Sequence, residues 1–270
     1  MPELPEVETT VRGLAAVLQG ARITRLVTHR PDLRRAFPPD LAQRMTGATI
    51  TALGRRAKYG LIATDRGDSM VFHLGMSGRW RIDPDAIGTH DHLVMDTESG
   101  HTLSLFDPRR FGSVDLVTTA LLGTLPAFAA MGPEPLGDDF TAAYLKRRLA
   151  GRAAPIKGLL LDQRIVAGLG NIYVCEALNM ARISPMRAAG QIGPAKLRPL
   201  VAAIKEVLVQ AIAAGGSTLR DYARPDGELG YFAKDWRVYG CEGEACPCGG
   251  TVRRVAQSGR STFYCPSCQR

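Results

Sequence analysis

The last thirty residues of the chain contain five of its six cysteines. One residue separates Cys246 from Cys248, two residues separate Cys265 from Cys268, and sixteen residues lie between the two pairs. Four thiolates grouped in this way are typical of a tetrahedral structural zinc site, which has no open position for water. We therefore predict a zinc ribbon that binds one Zn²⁺ per chain and takes no part in the chemistry.

The first cysteine pair is one residue shorter than the usual spacing, so one ligand stays open between Cys241 and Cys246. Cys246 is favoured because it lies nearer in sequence to the other three. Zinc is preferred to iron because the spacing is not that of an iron–sulfur cluster. The sixth cysteine, Cys175, stands alone in an apolar stretch and is predicted to be a small buried hydrophobic residue.

A basic segment lies between the cysteine pairs, and a β-hairpin there would carry it at its tip. It contains Arg253, Arg254 and Arg260. Guanidinium groups on a rigid hairpin can bind phosphate through charge-assisted hydrogen bonds. Taken alone, the segment fits a solvated basic turn equally well.

The N-terminus offers a second kind of chemistry. Met1 before a small residue is normally removed, which would expose the secondary amine of Pro2. An α-amine titrates close to neutral pH, so a useful fraction is neutral and nucleophilic. Its attack on an aldehyde-like carbon gives an iminium with no N–H to lose, which acts as an electron sink. Glu3 could protonate a sugar ring oxygen as the ring opens. A proline-rich capping arm is the structural alternative.

The elements that must position these residues differ between the two halves of the chain. An amphipathic helix is predicted over residues 5–19, with Gly20 just past its end. Short β-rich runs separated by Gly, Pro and Asp then indicate antiparallel strands in a sandwich or barrel. Examples of these runs are residues 22–28, 61–65, 70–74, 92–96 and 102–106.

The second half of the chain is predicted to be helical, and the cysteine-rich tail follows these helices. Helices are predicted over residues 140–149, 155–162, 172–180 and 194–214, a long loop over 217–236 and a short strand over 261–264. The predicted fold class is α+β with two domains. Its predicted parts are a catalytic β-sandwich domain over 1–118, a linker over 119–137, a helical domain over 138–236 and the zinc ribbon over 237–270.

Composition narrows the class of partner. The hydrophobic share of 45% and the charged share of 22% are values of a globular protein. Lys and Arg outnumber Asp and Glu by 34 to 26, which gives a net charge of +8. This charge suits a polyanionic partner such as nucleic acid, but taken alone it fits an ordinary basic enzyme equally well. No run of about 18 apolar residues is present, and the acidic N-terminus does not resemble a signal peptide. A cytoplasmic monomer without an obligate protein partner is expected.

Several short motifs occur together and in a fixed order. They are Pro-Glu-Leu-Pro-Glu-Val-Glu-Thr at residues 2–9, Arg-Arg-Ala-Lys-Tyr at 55–59, His-Leu-Gly-Met-Ser-Gly at 73–78, Asp-Pro-Arg-Arg-Phe-Gly at 107–112, Gly-Leu-Gly-Asn-Ile-Tyr at 168–173, and the cysteine tail. With them the whole chain resembles the bacterial formamidopyrimidine-DNA glycosylases. The resemblance implies a repair enzyme that excises 8-oxoguanine and ring-opened purines from double-stranded DNA in the bacterial cytoplasm, at the nucleoid. It also implies a helix–two-turn–helix motif in the second domain.

The resemblance assigns catalytic roles to four residues. Pro2 is expected to be the Schiff-base nucleophile at the sugar carbon C1′, and Glu3 the general acid. Lys58 is expected to assist β-elimination and to hold a phosphate. Arg260 matches the hairpin arginine that grips the phosphate of the flipped nucleotide and assists δ-elimination.

The resemblance also implies a set of residues that fill the space left by an extruded base. Met76 and Phe111 would be apolar wedges, and Arg109 would face the orphan cytosine. Without the resemblance, Met76 and Phe111 could instead be core residues, and Arg109 with Arg110 a solvated pair.

Further DNA contacts follow from the same resemblance. Asn171 matches a phosphate-binding turn of the helix–two-turn–helix motif. His90 and Arg152 lie where DNA contacts of the family are expected, and residues 217–236 correspond to the lesion-sensing loop.

The sequence leaves two rival functions open. The endonuclease VIII-type glycosylases, which act on oxidised pyrimidines, share the terminal Pro-Glu and the ribbon. Leu4, the run Val7–Thr9 and the turn at residues 107–111 favour the purine-directed enzyme. The other rival is a non-catalytic zinc-ribbon protein, which would bind nucleic acid in a salt-sensitive manner without forming a covalent adduct.

Overall fold

The structure, a computed structural model, describes residues 2–217, 225 and 232–270. They belong to two compact units: Met1–Ala129 with Ala214–Ala233, and Ala130–Ala213 with Lys234–Arg270. The loop expected over residues 217–236 falls largely outside the described part of the chain. The domain limits expected at residues 118, 137 and 236 stay predictions.

The first unit begins with helix α1, Leu4–Leu18, which agrees with the helix expected over 5–19. The face of Val7, Val11, Leu14 and Leu18 is buried, as the 3.6-residue period requires. Pro5 is tolerated because the first helical N–H groups have no partner inside the helix.

Eight strands follow α1. In chain order they are β1 (Ile23–Thr28), β2 (Ile50–Arg56), β3 (Tyr59–Thr64), β4 (Asp68–His73), β5 (Arg79–Ile82), β6 (Asp91–Thr97), β7 (Thr102–Phe106) and β8 (Ser113–Thr118), with a short helix α2 (Leu41–Met45) between β1 and β2. The five predicted runs correspond to β1, β3, β4, β6 and β7. The chain then forms a 3-10 helix, Thr119–Thr124, and the short helix α3, Pro126–Ala129.

The strands form two four-stranded antiparallel sheets. One has the order β1-β6-β7-β5 and the other the order β2-β3-β4-β8. Side chains from both sheets, such as Phe72 on β4 and Leu105 on β7, share one buried core with the apolar face of α1. The first unit is therefore a β-sandwich with a helix packed against it, as expected.

The second unit is helical and ends in a hairpin. Its helices are α4 (Ala142–Leu149), α5 (Ile156–Leu161), α6 (Asn171–Met180) and α7 (Pro194–Ala213), with 3-10 helices at Ala189–Gln191 and Phe232–Asp235. All four α-helices agree with the predicted segments to within two residues at each end. Strands β9 (Arg253–Gln257) and β10 (Arg260–Tyr264) pair antiparallel. No helix among the described residues is long and apolar enough to cross a membrane.

Candidate functional site

Pro2 and Glu3 lie buried at the start of α1. The Oε2 atom of Glu6 accepts the backbone N–H of Glu3 at 2.7 Å, and its Oε1 atom accepts the N–H of Ser217 at 2.8 Å. Glu6 is itself buried, so its carboxylate holds the Pro2–Glu3 peptide in one place. A carboxylate in the first turn also satisfies an N–H that the helix leaves free.

Lys58 lies in the tight turn between β2 and β3 and is almost completely buried. Ala57 before it has a φ of 55°, in the left-handed region. Arg55 holds this turn, because its Nη1 donates to the Ala57 carbonyl at 2.9 Å and its Nε donates to Glu8 Oε2 at 2.9 Å. Glu8 belongs to α1, so Arg55 links the turn that carries Lys58 to the helix that begins next to Pro2.

His73, at the end of β4, is held in its neutral form. Burial, and after it the positive charge of Lys58, lowers the pKa of His73 to about 4. Its Nδ1 accepts the backbone N–H of Gly75 at 3.0 Å, which requires that nitrogen to be unprotonated. The neutral imidazole thereby fixes the start of the turn that carries Met76.

Met76 and Phe111 are exposed, with 38% and 43% of their surface accessible. The alternative that they are core residues is therefore wrong. The guanidinium of Arg109 lies 4.8 Å from the centre of the Phe111 ring, a cation–π distance. Phe111 and Arg109 thus form a cation–π pair on the surface.

The turns that carry Met76 and Phe111 are joined by buried polar groups. Ser77 Oγ donates to Asp107 Oδ1 at 2.6 Å, and Gly112 N–H donates to Asp107 Oδ2 at 2.8 Å. A Cβ added to Gly75 would lie 2.3 Å from the carbonyl carbon of Phe111, so only glycine permits this approach. Met76, Arg109 and Phe111 are consequently brought to one surface.

His90 is exposed beside the same turn. Its ring meets Phe106 edge-on at 5.8 Å, and its carbonyl accepts the N–H of Asp107 at 2.9 Å. The ring is free of the core and is available to a ligand at this surface.

In the second unit, Asn171 begins α6 and contacts the hairpin. Its Nδ2 donates to the carbonyl of Ser261 at 2.9 Å, and its buried Oδ1 has no hydrogen-bond partner among the described residues. Lys157, which is buried, donates to the same carbonyl at 3.2 Å and to Thr262 Oγ1 at 2.6 Å. Arg260, the residue before Ser261, is exposed. The structure therefore brings Asn171 and the Arg260 hairpin together.

The hairpin tip is a two-residue turn. Ser258 and Gly259 both have positive φ, 50° and 73°, which matches a type I′ turn. Arg260 follows the turn directly, so its backbone is set by the ladder with Gln257. Arg152 lies elsewhere on this unit, exposed after α4, where its carbonyl accepts the N–H of Gly190 at 2.8 Å.

The sulfur atoms of Cys246, Cys248, Cys265 and Cys268 lie within 4.8 Å of one another. Zn–S bonds of about 2.3 Å in a tetrahedron require sulfurs about 3.8 Å apart. The Cys246–Cys268 and Cys248–Cys265 distances of 3.9 and 3.6 Å fit this requirement. Among the described residues, Cys241 is not part of the cluster. The structure therefore groups Cys246, and not Cys241, with the other three cysteines, and the assignment of Cys246 as a zinc ligand stays a prediction.

Comparison with known proteins identifies the family. The profile of the formamidopyrimidine-DNA glycosylase N-terminal domain matches residues 1–114, and that of the formamidopyrimidine-DNA glycosylase H2TH domain matches residues 131–223. The chain belongs to the formamidopyrimidine-DNA glycosylase family. A third profile, the zinc finger found in FPG and IleRS, matches residues 243–270. The chain therefore has the two-domain fold of the formamidopyrimidine-DNA glycosylases. Its four-cysteine cluster is a zinc-finger site that holds one structural zinc.

Relatives of this glycosylase family align along the full chain. The formamidopyrimidine-DNA glycosylase of Rhizorhabdus wittichii is 70% identical over 270 residues, covering 100% of both chains. The crystal structure of the MutM (Fpg) protein from Thermus thermophilus has a TM-score of 0.90 and 41% identity, covering 99% of this chain and 98% of that one. The Lactococcus lactis Fpg in complex with DNA containing an abasic site has a TM-score of 0.91 and 36% identity, covering 100% of both. These relatives favour a formamidopyrimidine-DNA glycosylase over the endonuclease VIII-type glycosylase and over a non-catalytic zinc-ribbon protein.

Three residues that support these sites were given no role by the sequence analysis above. Lys157, Glu176 and Asn179 are polar residues in otherwise apolar helical segments, and all three are buried. The Glu176 carboxylate accepts the backbone N–H groups of Arg237, Val238 and Tyr239 at 2.8–3.1 Å. In the sequence, each of these residues is a polar residue among apolar ones in a predicted helix. A buried polar group needs a hydrogen-bond partner, but the sequence does not show which residue that partner is.

Proposed function

We propose that this protein excises oxidised or ring-opened purines, such as 8-oxoguanine and formamidopyrimidines, from duplex DNA and cleaves the abasic strand by β,δ-elimination. The full-length likeness to a glycosylase bound to abasic-site DNA, with a TM-score of 0.91, carries this proposal. Because its proposed substrate is chromosomal DNA, the enzyme would act in the bacterial cytoplasm, at the nucleoid.

The first chemical step belongs to Pro2 and Glu3. After removal of Met1, the secondary amine of Pro2 adds to C1′, and the damaged base departs with its bonding electrons and takes up a proton. Glu3 gives a proton to the ring oxygen as the sugar opens, which leaves a Pro2 iminium. Glu6 supports this step by holding the Glu3 N–H at 2.7 Å, because a fixed nucleophile gains from proximity and orientation.

The strand is then cleaved by two eliminations. The cationic iminium draws electrons toward C1′, so loss of the C2′ proton expels the 3′ phosphate, and a second elimination expels the 5′ phosphate. Lys58 would bind a phosphate and assist the first elimination, and Arg260 would assist the second. Water then hydrolyses the imine and frees Pro2.

The exposed group of Met76, Arg109 and Phe111 suits the vacated space in the duplex. An enzyme that acts on a base must take it out of the stack, and apolar side chains between base steps stabilise the opened duplex. Arg109 offers donors in a fixed fork to the unpaired cytosine, and its packing on Phe111 limits the orientations of that fork.

The second unit would bind the DNA backbone. Asn171 donates to the carbonyl of Ser261, the residue that follows Arg260, so one local structure positions both. His90 in the first unit and Arg152 in the second are proposed as further DNA contacts, because both are exposed. The zinc holds the hairpin in shape and has no role in bond breaking.

Borohydride trapping with an 8-oxoguanine:cytosine duplex tests the covalent step. We expect a trapped adduct that peptide mapping places on the N-terminal nitrogen of Pro2. Replacement of Pro2 with Leu, which prevents removal of Met1, should abolish both trapping and base release. Pro5→Ala is the matched control, since it changes a proline of the same segment but leaves the terminal amine. An adduct on a lysine would overturn the mechanism.

Cleavage of matched duplexes that contain 8-oxoguanine or thymine glycol tests the lesion class. Faster excision of 8-oxoguanine supports the purine-directed function. Preferential excision of thymine glycol would point to the endonuclease VIII type, and binding without any trapped adduct would point to a non-catalytic protein.

A further inference from the structure

Asn179 lies near the end of α6 with its side chain against the cysteine cluster. It is 4% exposed. Its Nδ2 atom is 3.7 Å from Cys246 Sγ and 3.9 Å from Cys268 Sγ, within the range of hydrogen bonds to sulfur. The same nitrogen is 3.1 Å from Gln269 Oε1. An amide therefore reaches two of the four sulfurs.

The orientation of the Asn179 amide is set by backbone groups that cannot exchange roles. Gln269 Oε1 accepts the N–H of Cys265 at 2.8 Å, and Gln269 Nε2 donates to the Ile183 carbonyl at 2.9 Å. The oxygen of Gln269 must therefore face Asn179, which in turn must present its NH₂ group. One hydrogen of that group is directed at Gln269, and the other is left for the sulfurs.

The charge of a loaded centre explains why such a donor matters. Four thiolates and one Zn²⁺ sum to a charge of −2 (four times −1, plus 2). Cys246 and Cys265 are buried, and a buried charge is costly without hydrogen-bond donors. Donors to the ligand atoms also orient them toward the metal.

The sulfurs of the cluster receive donors both from the ribbon and from outside it. Backbone N–H groups of the ribbon supply some donors, such as Gly250 N–H at 3.4 Å from Cys248 Sγ. Asn179 adds a donor from a helix, and it bridges Cys246 of the short pair and Cys268 of the regular pair. It therefore joins the two halves of the metal site.

We propose that Asn179 is an outer-sphere ligand of the zinc site, which stabilises the thiolates of Cys246 and Cys268 and slows the release of zinc. It also couples the metal to α6, the helix whose first residue, Asn171, contacts the Arg260 hairpin. Asn179 is a positioning residue and does not contact DNA in this proposal.

Steric shielding is the competing explanation for any effect of Asn179. A surface cavity of about 200 Å³ opens beside Cys246, Cys248 and Cys268, and Asn179 is part of its wall. A variant that only enlarges this opening would let a chelator reach the sulfurs faster. The experiment must therefore separate loss of the donor from loss of volume.

Two variants of the full-length, zinc-loaded protein make that separation. Asn179→Leu keeps the branched shape and still fills the space but removes the N–H donors, whereas Asn179→Ser removes volume and leaves a hydroxyl too short to span the same distance. Zinc transfer to a chromogenic chelator is followed after a far-UV circular dichroism check of folding. We expect both variants to release zinc about 10- to 100-fold faster than the wild type, because loss of an outer-sphere partner weakens metal affinity by about that factor.

Gln257→Leu is the matched control. Its amide belongs to the same ribbon but donates to the Pro185 carbonyl at 3.2 Å. We expect its zinc release to stay close to that of the wild type. Rapid release from Asn179→Ser alone, with Asn179→Leu unchanged, would show that shielding explains the effect and would overturn the proposal.

Cobalt substitution gives a second readout that does not depend on release. N–H···S bonds stabilise the sulfur lone pairs, so their loss should move the sulfur-to-Co²⁺ charge-transfer band to longer wavelength. We expect this shift in both Asn179 variants and not in Gln257→Leu. An unchanged band in both Asn179 variants would overturn the proposal even if zinc release is faster.

Discussion

The Ser77 hydroxyl donates to the Asp107 carboxylate at 2.6 Å, which joins two turns that are thirty residues apart in the sequence. Asp107 and Ser77 are both buried, and Ser77 Oγ also accepts the backbone N–H of Arg109 at 3.3 Å. The side chains proposed to enter the duplex therefore depend on polar groups that do not themselves reach the surface.

Replacement of Ser77 with Ala should lower the free energy of unfolding by about 1–3 kcal/mol, because it leaves a buried carboxylate with one donor fewer. Binding to a duplex with an abasic-site analogue should weaken as well, since the Met76 and Arg109 turns are no longer joined. Urea denaturation and a binding titration measure the two effects. Ser99→Ala, which removes an exposed hydroxyl 2.9 Å from Thr97 Oγ1, is the control. Equal behaviour of the two variants would contradict a joining role for Ser77.

The neutral state of His73 predicts a pH dependence of stability. Its pKa is about 4 in the folded protein and about 6.5 when unfolded, so the unfolded chain binds more protons between these values. Stability from this residue is therefore complete above pH 6.5 and is lost as the pH falls toward 4, by roughly 3 kcal/mol. Denaturant unfolding at a series of pH values measures the slope.

His73→Gln should remove that part of the slope, because glutamine can accept the Gly75 N–H but does not titrate. The difference between wild type and variant is the readout, since carboxylates titrate in the same range. His29→Gln, at an exposed histidine just after β1, should keep the slope. A slope in His73→Gln equal to that of the wild type would show that His73 does not cause it.

Arg260→Ala should weaken lesion-DNA binding by about 10- to 100-fold, the value of one lost charge-assisted hydrogen bond. Strand cleavage should fall with it, while zinc content stays at one per chain. Arg253→Ala is the matched control, because Arg253 pairs with Tyr264 at the other end of the same hairpin. Equal losses in the two variants would indicate a general charge effect, and loss of zinc from Arg260→Ala would indicate a structural role.

Substitution of the cysteines should separate the ligand from its neighbour. Cys246→Ala should lose zinc and unfold the ribbon, because four thiolates are needed to close a structural site. Cys241→Ala should retain one zinc per chain, since the Cys241 sulfur lies 3.4 Å from the Tyr239 carbonyl and outside the cluster. Metal analysis of the two purified variants decides the matter. A zinc-free Cys241→Ala would reverse the assignment.

Local patterns in the sequence were sufficient for all the longer helices, for five of the eight sandwich strands and for the cysteine cluster. The apolar period of α1 and of α7, and the spacing of four cysteines within 23 residues (246–268), are properties of adjacent residues, so one sequence displays them. Strands β2, β5 and β8 lie outside the predicted runs. In β5 only four residues are available, and in β2 the burial does not alternate, so the two-residue period was weak.

The partners of buried polar residues were decided by tertiary structure alone. Asn179 meets sulfurs that lie 67 and 89 residues away, and Lys157 meets Thr262 at a separation of 105 residues. The residue types and their spacing thus specified the fold class, the ribbon and the family motifs. The pairings between distant residues follow from how the chain returns on itself, because a hydrogen bond depends on the distance in space between two atoms and leaves no period in the sequence.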